Sequence, residues 1–174
     1  MNSVPIALTM SDGTLAVMRF ITEGRGNILP FGAQWVSPGQ WTRTPSPANL
    51  ANEMARGFEN HAVTPVSWRQ IQESDVPTDR TFRGAWRDQA GAIKHDITQA
   101  RQLVLDYVRE WRKDKLADLD QTWMRAFARA DTTAAQTAEN EREVLRNLPQ
   151  TLGPQLAAAT TVAQLKALLQ ATLT

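Results

Sequence analysis

Val4-Pro5-Ile6-Ala7-Leu8-Thr9-Met10-Ser11-Asp12-Gly13-Thr14-Leu15-Ala16-Val17-Met18-Arg19-Phe20-Ile21 sets how the chain begins to fold. Two apolar runs flank Ser11-Asp12-Gly13-Thr14. A type I′ hairpin turn needs positive φ at both central positions, and Asp-Gly is a pair that adopts it at little steric cost. Ile6, Leu8 and Met10 alternate along the first run and Ala16, Met18 and Phe20 along the second, which makes one apolar sheet face. The segment is predicted to be a β-hairpin.

Beyond Ile21 the pattern breaks. From Thr22 to Pro47, Gly24, Gly26, Gly32 and Gly39 are interspersed with Pro30, Pro38, Pro45 and Pro47, so a long loop is expected. The loop also carries Phe31, Trp35, Val36 and Trp41. Two readings stay open for Trp35 and Trp41: folding back on the sheet, or anchoring a partner protein. Ser46-Pro47 has the form of a helix start, with Ser as N-cap and Pro at the first helical position. Leu50, Met54 and Phe58 then recur at steps of four, as on one face of a helix. Ala62 to Ile71 reads as a third strand, and Pro65 places it at a sheet edge or a bulge. Residues 1–75 are thus expected to form a small α+β domain with a long Gly/Pro/Trp loop at 22–47.

Residues 76–96 read as a connector, with a short helix from Pro77 or Asp79 to about Trp86 and a capping Asp96. From Ile97 the pattern is helical. Ile97, Ala100, Val104, Tyr107 and Trp111 recur every three or four residues, and Leu116, Leu119, Trp123, Ala126 and Ala130 continue after a step of five. That step predicts a bend or a break near Lys113 to Lys115. Asp131-Thr132-Thr133 is a turn and cap cluster, with Thr133 and Gln136 spaced as a capping box. Ala134, Ala138, Leu145 and Leu148 mark a second helix, which Pro149 should close. The expectation for 97–149 is an antiparallel helical hairpin. Residues 150–174 would hold a short terminal helix, Thr161 to Leu173, after the breaker pair Gly153-Pro154. The apolar stripe reads either as a core or as a seam between chains. A lone helical hairpin shows much apolar surface for little volume, so surface not covered within the chain needs another chain over it.

The totals narrow the function classes. The chain has 174 residues, 42% hydrophobic and 21% charged, which suits one compact domain or a small domain with a helical extension. Nineteen basic against eighteen acidic residues give a formal charge of +1. A balance so close to zero supplies no long-range attraction to nucleic acid or anionic lipid, and neither is expected as a partner. With no cysteine, disulfides, thiolate nucleophiles and cysteine-ligated zinc are excluded. No secretion signal and no membrane span are expected, so synthesis in a cytosol is the expectation.

Chemistry-bearing patterns are sparse. His61 and His95 are the only histidines. Neither has a ligand-spaced partner, so no metal site is expected. No GxSxG pattern occurs, and Gly24-Arg25-Gly26-Asn27 lacks the ending of a phosphate loop. Glu23, Asp75, Asp79 and Asp88 lie in loop-like stretches, where carboxylates could pair as acid and base, but their spacing selects no pair. Asp106, Glu110, Asp114 and Asp118 among Arg109, Arg112, Lys113 and Lys115 read as a solvated face with helical ion pairs. No catalytic residue, cofactor or metal is assigned.

A family resemblance enters at Val76 to Leu148. Pro77-Thr78-Asp79-Arg80-Thr81-Phe82-Arg83-Gly84-Ala85-Trp86 resembles a segment of small proteins encoded beside the tail-fibre genes of tailed bacteriophages. Ala100-Arg101, Asp106, Arg109 and Arg112 follow as in that family. So do Lys115-Leu116-Ala117-Asp118-Leu119-Asp120 and Met124-Arg125-Ala126. Leu145-Arg146-Asn147-Leu148-Pro149 looks like the close of the same helical hairpin, and is similar to the C-terminal part of phage tail-assembly chaperones. The likeness covers most of the chain outside Thr22 to Pro47 and the final helix, and the loop departs from the family's pattern.

The resemblance implies a non-enzymatic tail or tail-fibre-associated structural protein, made in the bacterial host cytoplasm and residing in the virion tail. It would act by protein–protein binding to phage tail or tail-fibre proteins, with self-association as a further partner. A tail-fibre assembly chaperone is the alternative. A wall-degrading hydrolase built on Glu23 or Asp79 is the remote third. The partner-binding residues expected are Trp35, Trp41, Arg80, Phe82 and Trp86, with Trp111 and Trp123 at a helical interface.

Overall fold

The computed structural model describes residues 2–173. It is an α+β protein in which strands precede long helices, and the chain divides into two compact units, 1–95 and 96–174. The first unit runs β1 (Ser3–Met10), β2 (Leu15–Ile21), β3 (Glu23–Arg25), β4 (Gln34–Ser37), β5 (Gln40–Thr42), α1 (Pro47–Phe58), β6 (Pro65–Gln70), β7 (Trp86–Gln89) and β8 (Ala92–His95). The second runs α2 (Ile97–Ala128), α3 (Thr132–Ala158) and α4 (Val162–Leu173).

The opening hairpin forms as read, with β1 and β2 antiparallel from Ser3↔Ile21 to Thr9↔Leu15. Its turn differs from type I′, because only Gly13 takes positive φ (79°). The Asp12 carboxylate accepts from the Thr14 amide at 2.9 Å, and the Gly13 amide donates to Met10 O at 2.9 Å. Asp12 therefore keeps ordinary backbone geometry, and one left-handed glycine completes the turn. The third strand, β6, pairs antiparallel with β1, giving the order β2-β1-β6. Pro65 lies on this edge strand, opposite a register shift at Thr9/Met10.

Both faces of β1 are covered. On one, Ile6, Leu8, Met10 and Phe20 pack with Leu50 of α1. On the other, Ala7 and Leu15 pack with Ile71, Val76 and Trp86. The second layer corrects the reading of 76–96 as a connector and of a helix up to Trp86. Two 3-10 turns, Glu73–Asp75 and Arg83–Ala85, lead into the β7–β8 hairpin, and Val76, Trp86 and Ile93 pack on the second sheet face. A central strand with Ala7 and Leu15 beneath it needs that cover, and apolar burial outweighs the weak local helix signal. The turn of this hairpin is Ala90-Gly91, both at positive φ (51° and 83°), a conformation that Ala signals poorly.

The loop at 22–47 is also corrected. It contains a three-stranded antiparallel sheet of order β3-β5-β4. Breakers confine its strands to three or four residues without abolishing them. Gly24 pairs with Trp41, and a Cβ on Gly24 would stand 2.5 Å from the indole, so the ring lies where any other residue would put a side chain. Arg43 ties this sheet to the rest of the unit. Its guanidinium stacks 4.3 Å from the Phe20 ring, donates to Ile21 O at 2.8 Å and pairs with Glu53 of α1 at 2.6 Å. α1 begins as expected, with the Ser46 hydroxyl accepting from the Asn49 amide and Pro47 at the first position.

In the second unit, of the two alternatives near Lys113 to Lys115, a single long helix is found and two separate helices are not: α2 is one helix of 32 residues. Its cap is Asp96, whose carboxylate accepts from the Gln99 amide. Asp131 caps α3 by accepting from the Ala134 amide, in place of the expected Thr133–Gln136 box. α3 does not close at Pro149, nor does Gly153-Pro154 break it; it continues through both prolines to Ala158. A proline inside a helix leaves the carbonyl four residues earlier without its donor. For Pro149 that carbonyl is Leu145 O, and the Arg112 guanidinium donates to it at 3.3 Å and to Arg146 O at 2.9 Å. Arg101 donates to Ala157 O and Ala159 O at the end of α3, and Arg142 pairs with Asp120 at 2.8 Å, so α2 and α3 run antiparallel. α4 packs against α2 and α3.

Candidate functional site

The expected binding residues fall into two groups. Trp41, Phe82 and Trp86 are interior. Trp41 covers Gly24, and Phe82 and Trp86 are 1% and 4% exposed. The Trp86 indole N–H donates to His95 Nε2 at 3.0 Å, and burial lowers the His95 pKa below its ordinary value, favouring the neutral ring that accepts this bond. These three aromatics are largely enclosed within the first unit. Trp35, Arg80, Trp111 and Trp123 are exposed or half-buried.

Trp35 stands on β4, across from Trp41 on β5. Ile28 (84% exposed), Leu29, Phe31 and Val36 are exposed in the same short stretch. Five large apolar side chains between residues 28 and 36 therefore face solvent; Phe31, Trp35 and Val36 stood out in the sequence, whereas Ile28 and Leu29 did not, and only the tryptophans were read as partner anchors. Arg80 lies beside a cleft lined also by Leu15, Val17 and Arg19 of β2 and by Arg83. In the resembling segment 77–86, Phe82, Ala85 and Trp86 point inwards while Arg80 and Arg83 are exposed. Asp79 accepts from the Thr81 amide and hydroxyl, which turns the chain there.

The second unit has the more extended apolar surface. Its buried large side chains lie where α4 covers the hairpin: Val104 and Val108 on α2, Leu152 and Leu156 on α3, and Leu165 and Leu169 on α4. In the rest of the hairpin the fully buried residues are Ala126 and Ala138. There an open groove of about 620 Å³ runs between the helices, lined by Trp111, Leu119, Val144 and Leu145, with Lys115, Asp118, Asn140 and Glu141 at its polar margins. The Lys115 ammonium sits 5.9 Å from the Trp111 ring. Val144 is 66% exposed. Trp123 follows Trp111 by twelve residues, about a third of a turn around the helix. It stacks on Phe127 at 5.1 Å, and Phe127 is 68% exposed. Leu119 and Leu145 were legible as stripe positions; Val144 and Phe127, each four residues from a stripe position (Leu148 and Trp123), were not singled out.

The four loop carboxylates are not gathered into one site. Asp75 accepts from the Gln72 amide, Asp88 pairs with Arg69 at 2.6 Å, Asp79 serves its turn, and Glu23 lies on β3 near Arg25 and Gln40. His61 packs edge-on against Phe58, away from the Trp86–His95 pair. Among the described residues no group of three or more His, Asp or Glu side chains is arranged to hold a metal ion. Among the described residues no helix is long and apolar enough to cross a membrane. No protein-family model, curated protein or solved structure matches the chain.

Proposed function

We propose that this chain is a non-enzymatic tail or tail-fibre-associated protein of a tailed bacteriophage, acting by binding other proteins of the particle. The supporting observation is the uncovered groove of the α2–α3 hairpin. A pair of helices with only alanines fully buried along most of its length, and with Trp111, Leu119, Val144 and Leu145 along an open seam, has the surface of half an interface. The tail-fibre context comes from the resemblance of residues 76–148. The residues proposed to meet a partner are Trp111 and Trp123 on the hairpin, Trp35 with its exposed apolar neighbours, and Arg80. The chain would be made in the host cytoplasm and reside in the virion tail. Mass spectrometry of purified particles of the phage that encodes it tests this reading. Stoichiometric presence supports a tail component, and absence from intact particles rules one out.

An assembly chaperone is the second reading. It is favoured by the groove's openness and by the likeness of Leu145 to Pro149 to the chaperone ending. Co-expression with the fibre protein distinguishes it. A chaperone raises the yield of soluble fibre and is missing from the finished particle, whereas fibre that is equally soluble without this chain eliminates the role.

A further inference from the structure

The sheet β2-β1-β6 has two open edges, and they differ. The β6 edge is interrupted by Pro65, a common protection against edge-to-edge pairing. The β2 edge contains no proline and is seven residues long. The Met10 amide donates to Thr14 O, which sets the phase of the hairpin ladder. Ala16, Met18 and Phe20 then exchange bonds with β1, and Leu15, Val17, Arg19 and Ile21 turn their backbone groups outwards. Ile21 agrees, since its carbonyl accepts from Arg43 Nε across that edge. Leu15, Val17 and Arg19 have no hydrogen bond to these outward groups among the described residues.

The space beside this edge is cationic. It is the cleft of about 550 Å³ lined by Leu15, Val17, Arg19, Arg80 and Arg83, with Trp86 as part of its wall. Of the nearby acids, Glu73 is held by both terminal nitrogens of Arg19 at 2.6 Å and also feels the Arg80 charge, and Asp79 accepts from Thr81 and acts on His95. Arg80 and Arg83 form no ion pair among the described residues. Their guanidinium groups flank the sheet face on which Leu15, Val17 and Arg19 place their side chains, because alternate strand residues share a face.

We propose that β2 is a strand-addition site for an extended acidic segment of a partner protein. The segment would lie antiparallel or parallel along Leu15 to Arg19, taking up the free backbone donors and acceptors. Every second residue would point a carboxylate towards Arg80 and Arg83, and the intervening residues would extend the layer of Ala16 and Met18. Charge complementarity selects the occupant: two exposed guanidinium groups that form no ion pair among the described residues, beside a strand edge with outward backbone groups, suit carboxylates repeated at a two-residue spacing. This site uses residues of the first unit only and shares none with the helical groove, so either can fail without the other.

The test uses the full chain and a synthetic peptide of about nine residues that alternates Glu with Val. Expected is saturable binding that is lost when Lys replaces Glu in the peptide, and weakened about tenfold or more by Arg80→Glu with Arg83→Glu. Both arginines are exposed, so the double variant should fold, as its circular dichroism will show. Two further peptides each carry one N-methyl group, on neighbouring residues. Because successive amides point to opposite edges, one methyl must abolish binding and the other must leave it intact. Equal effects of the two methyl groups, equal binding of the Lys peptide, or binding of a single-stranded oligonucleotide as tight as the Glu peptide would each overturn the proposal, as would no binding at all. None of these results bears on whether the chain occurs in particles.

Discussion

At the residue scale, two alanines occupy backbone positions better suited to other side chains. Ala90 and Ala130 have φ of 51° and 57°. Ala90 is the first central residue of the β7–β8 turn. Ala130 follows the end of α2, where the Asp131 amide donates to Ala126 O and the Ala130 amide to Phe127 O, the bond pair of a Schellman close. A Cβ in the left-handed region is penalised, so Ala90→Asn and Ala130→Gly should each stabilise the protein by about 0.5–1 kcal/mol. Thermal unfolding checks this, and an unchanged or lower melting temperature in both variants would show that these turns carry no strain. His95 gives a pH signature. Its pKa is lowered in the fold, mainly by burial. The unfolded chain therefore takes up a proton first as pH falls, and stability held above the ordinary histidine value is lost as pH drops through the lower folded one. From about pH 7 to about pH 5 the parent should lose more stability than His95→Gln, whose amide oxygen can still accept from the Trp86 indole. Equal losses would count against the assignment.

At the scale of elements, Arg112 and Pro149 form the most informative pair. Arg112→Ala should destabilise by about 1–3 kcal/mol, because it leaves Leu145 O without a donor. Pro149→Ala restores the backbone donor, so in that background the Arg112→Ala loss should shrink by about 1 kcal/mol. Additive effects in the double variant would mean the contact is incidental. The same pair shows where the sequence was legible and where it was not. Hairpin β1–β2, helix α1 and helix α4 followed from alternation, a Ser-Pro cap and helical spacing, all local signals. Pro149 looked like a terminus, because Arg112, which supplies the donor its helix lacks, lies more than thirty residues away. The β7–β8 hairpin was hidden for a related reason. Its turn uses Ala90-Gly91 in place of a recognised pair, and what holds it is burial of Trp86 and Ile93 against the sheet. Of the expected binding residues, exposure separated Trp35 from Trp41 although they sit on paired strands. Periodicity cannot make that distinction when the strands are only three or four residues long.

At the scale of the whole molecule, the two units present different surfaces. The first has a well-filled core, with Ile6, Leu8, Phe20, Leu50 and Phe82 almost fully enclosed, and it displays apolar residues on its loop sheet and a bare cationic edge at β2. The second closes its core at the α4 end and leaves the rest of the hairpin open. An open groove of this composition is consistent with a chain that works by being covered by another polypeptide. Photo-crosslinking from within the groove tests that most directly. A photoreactive amino acid replaces Val144, which is exposed and whose substitution spares the core, and a control carries it at the exposed, polar Gln150. Irradiation during infection by the phage that encodes the chain should yield a covalent adduct between position 144 and a tail or tail-fibre protein, with far less from the control. Full-length protein that is abundant in the cell, yet forms no adduct from position 144 with any phage protein, would contradict the central claim.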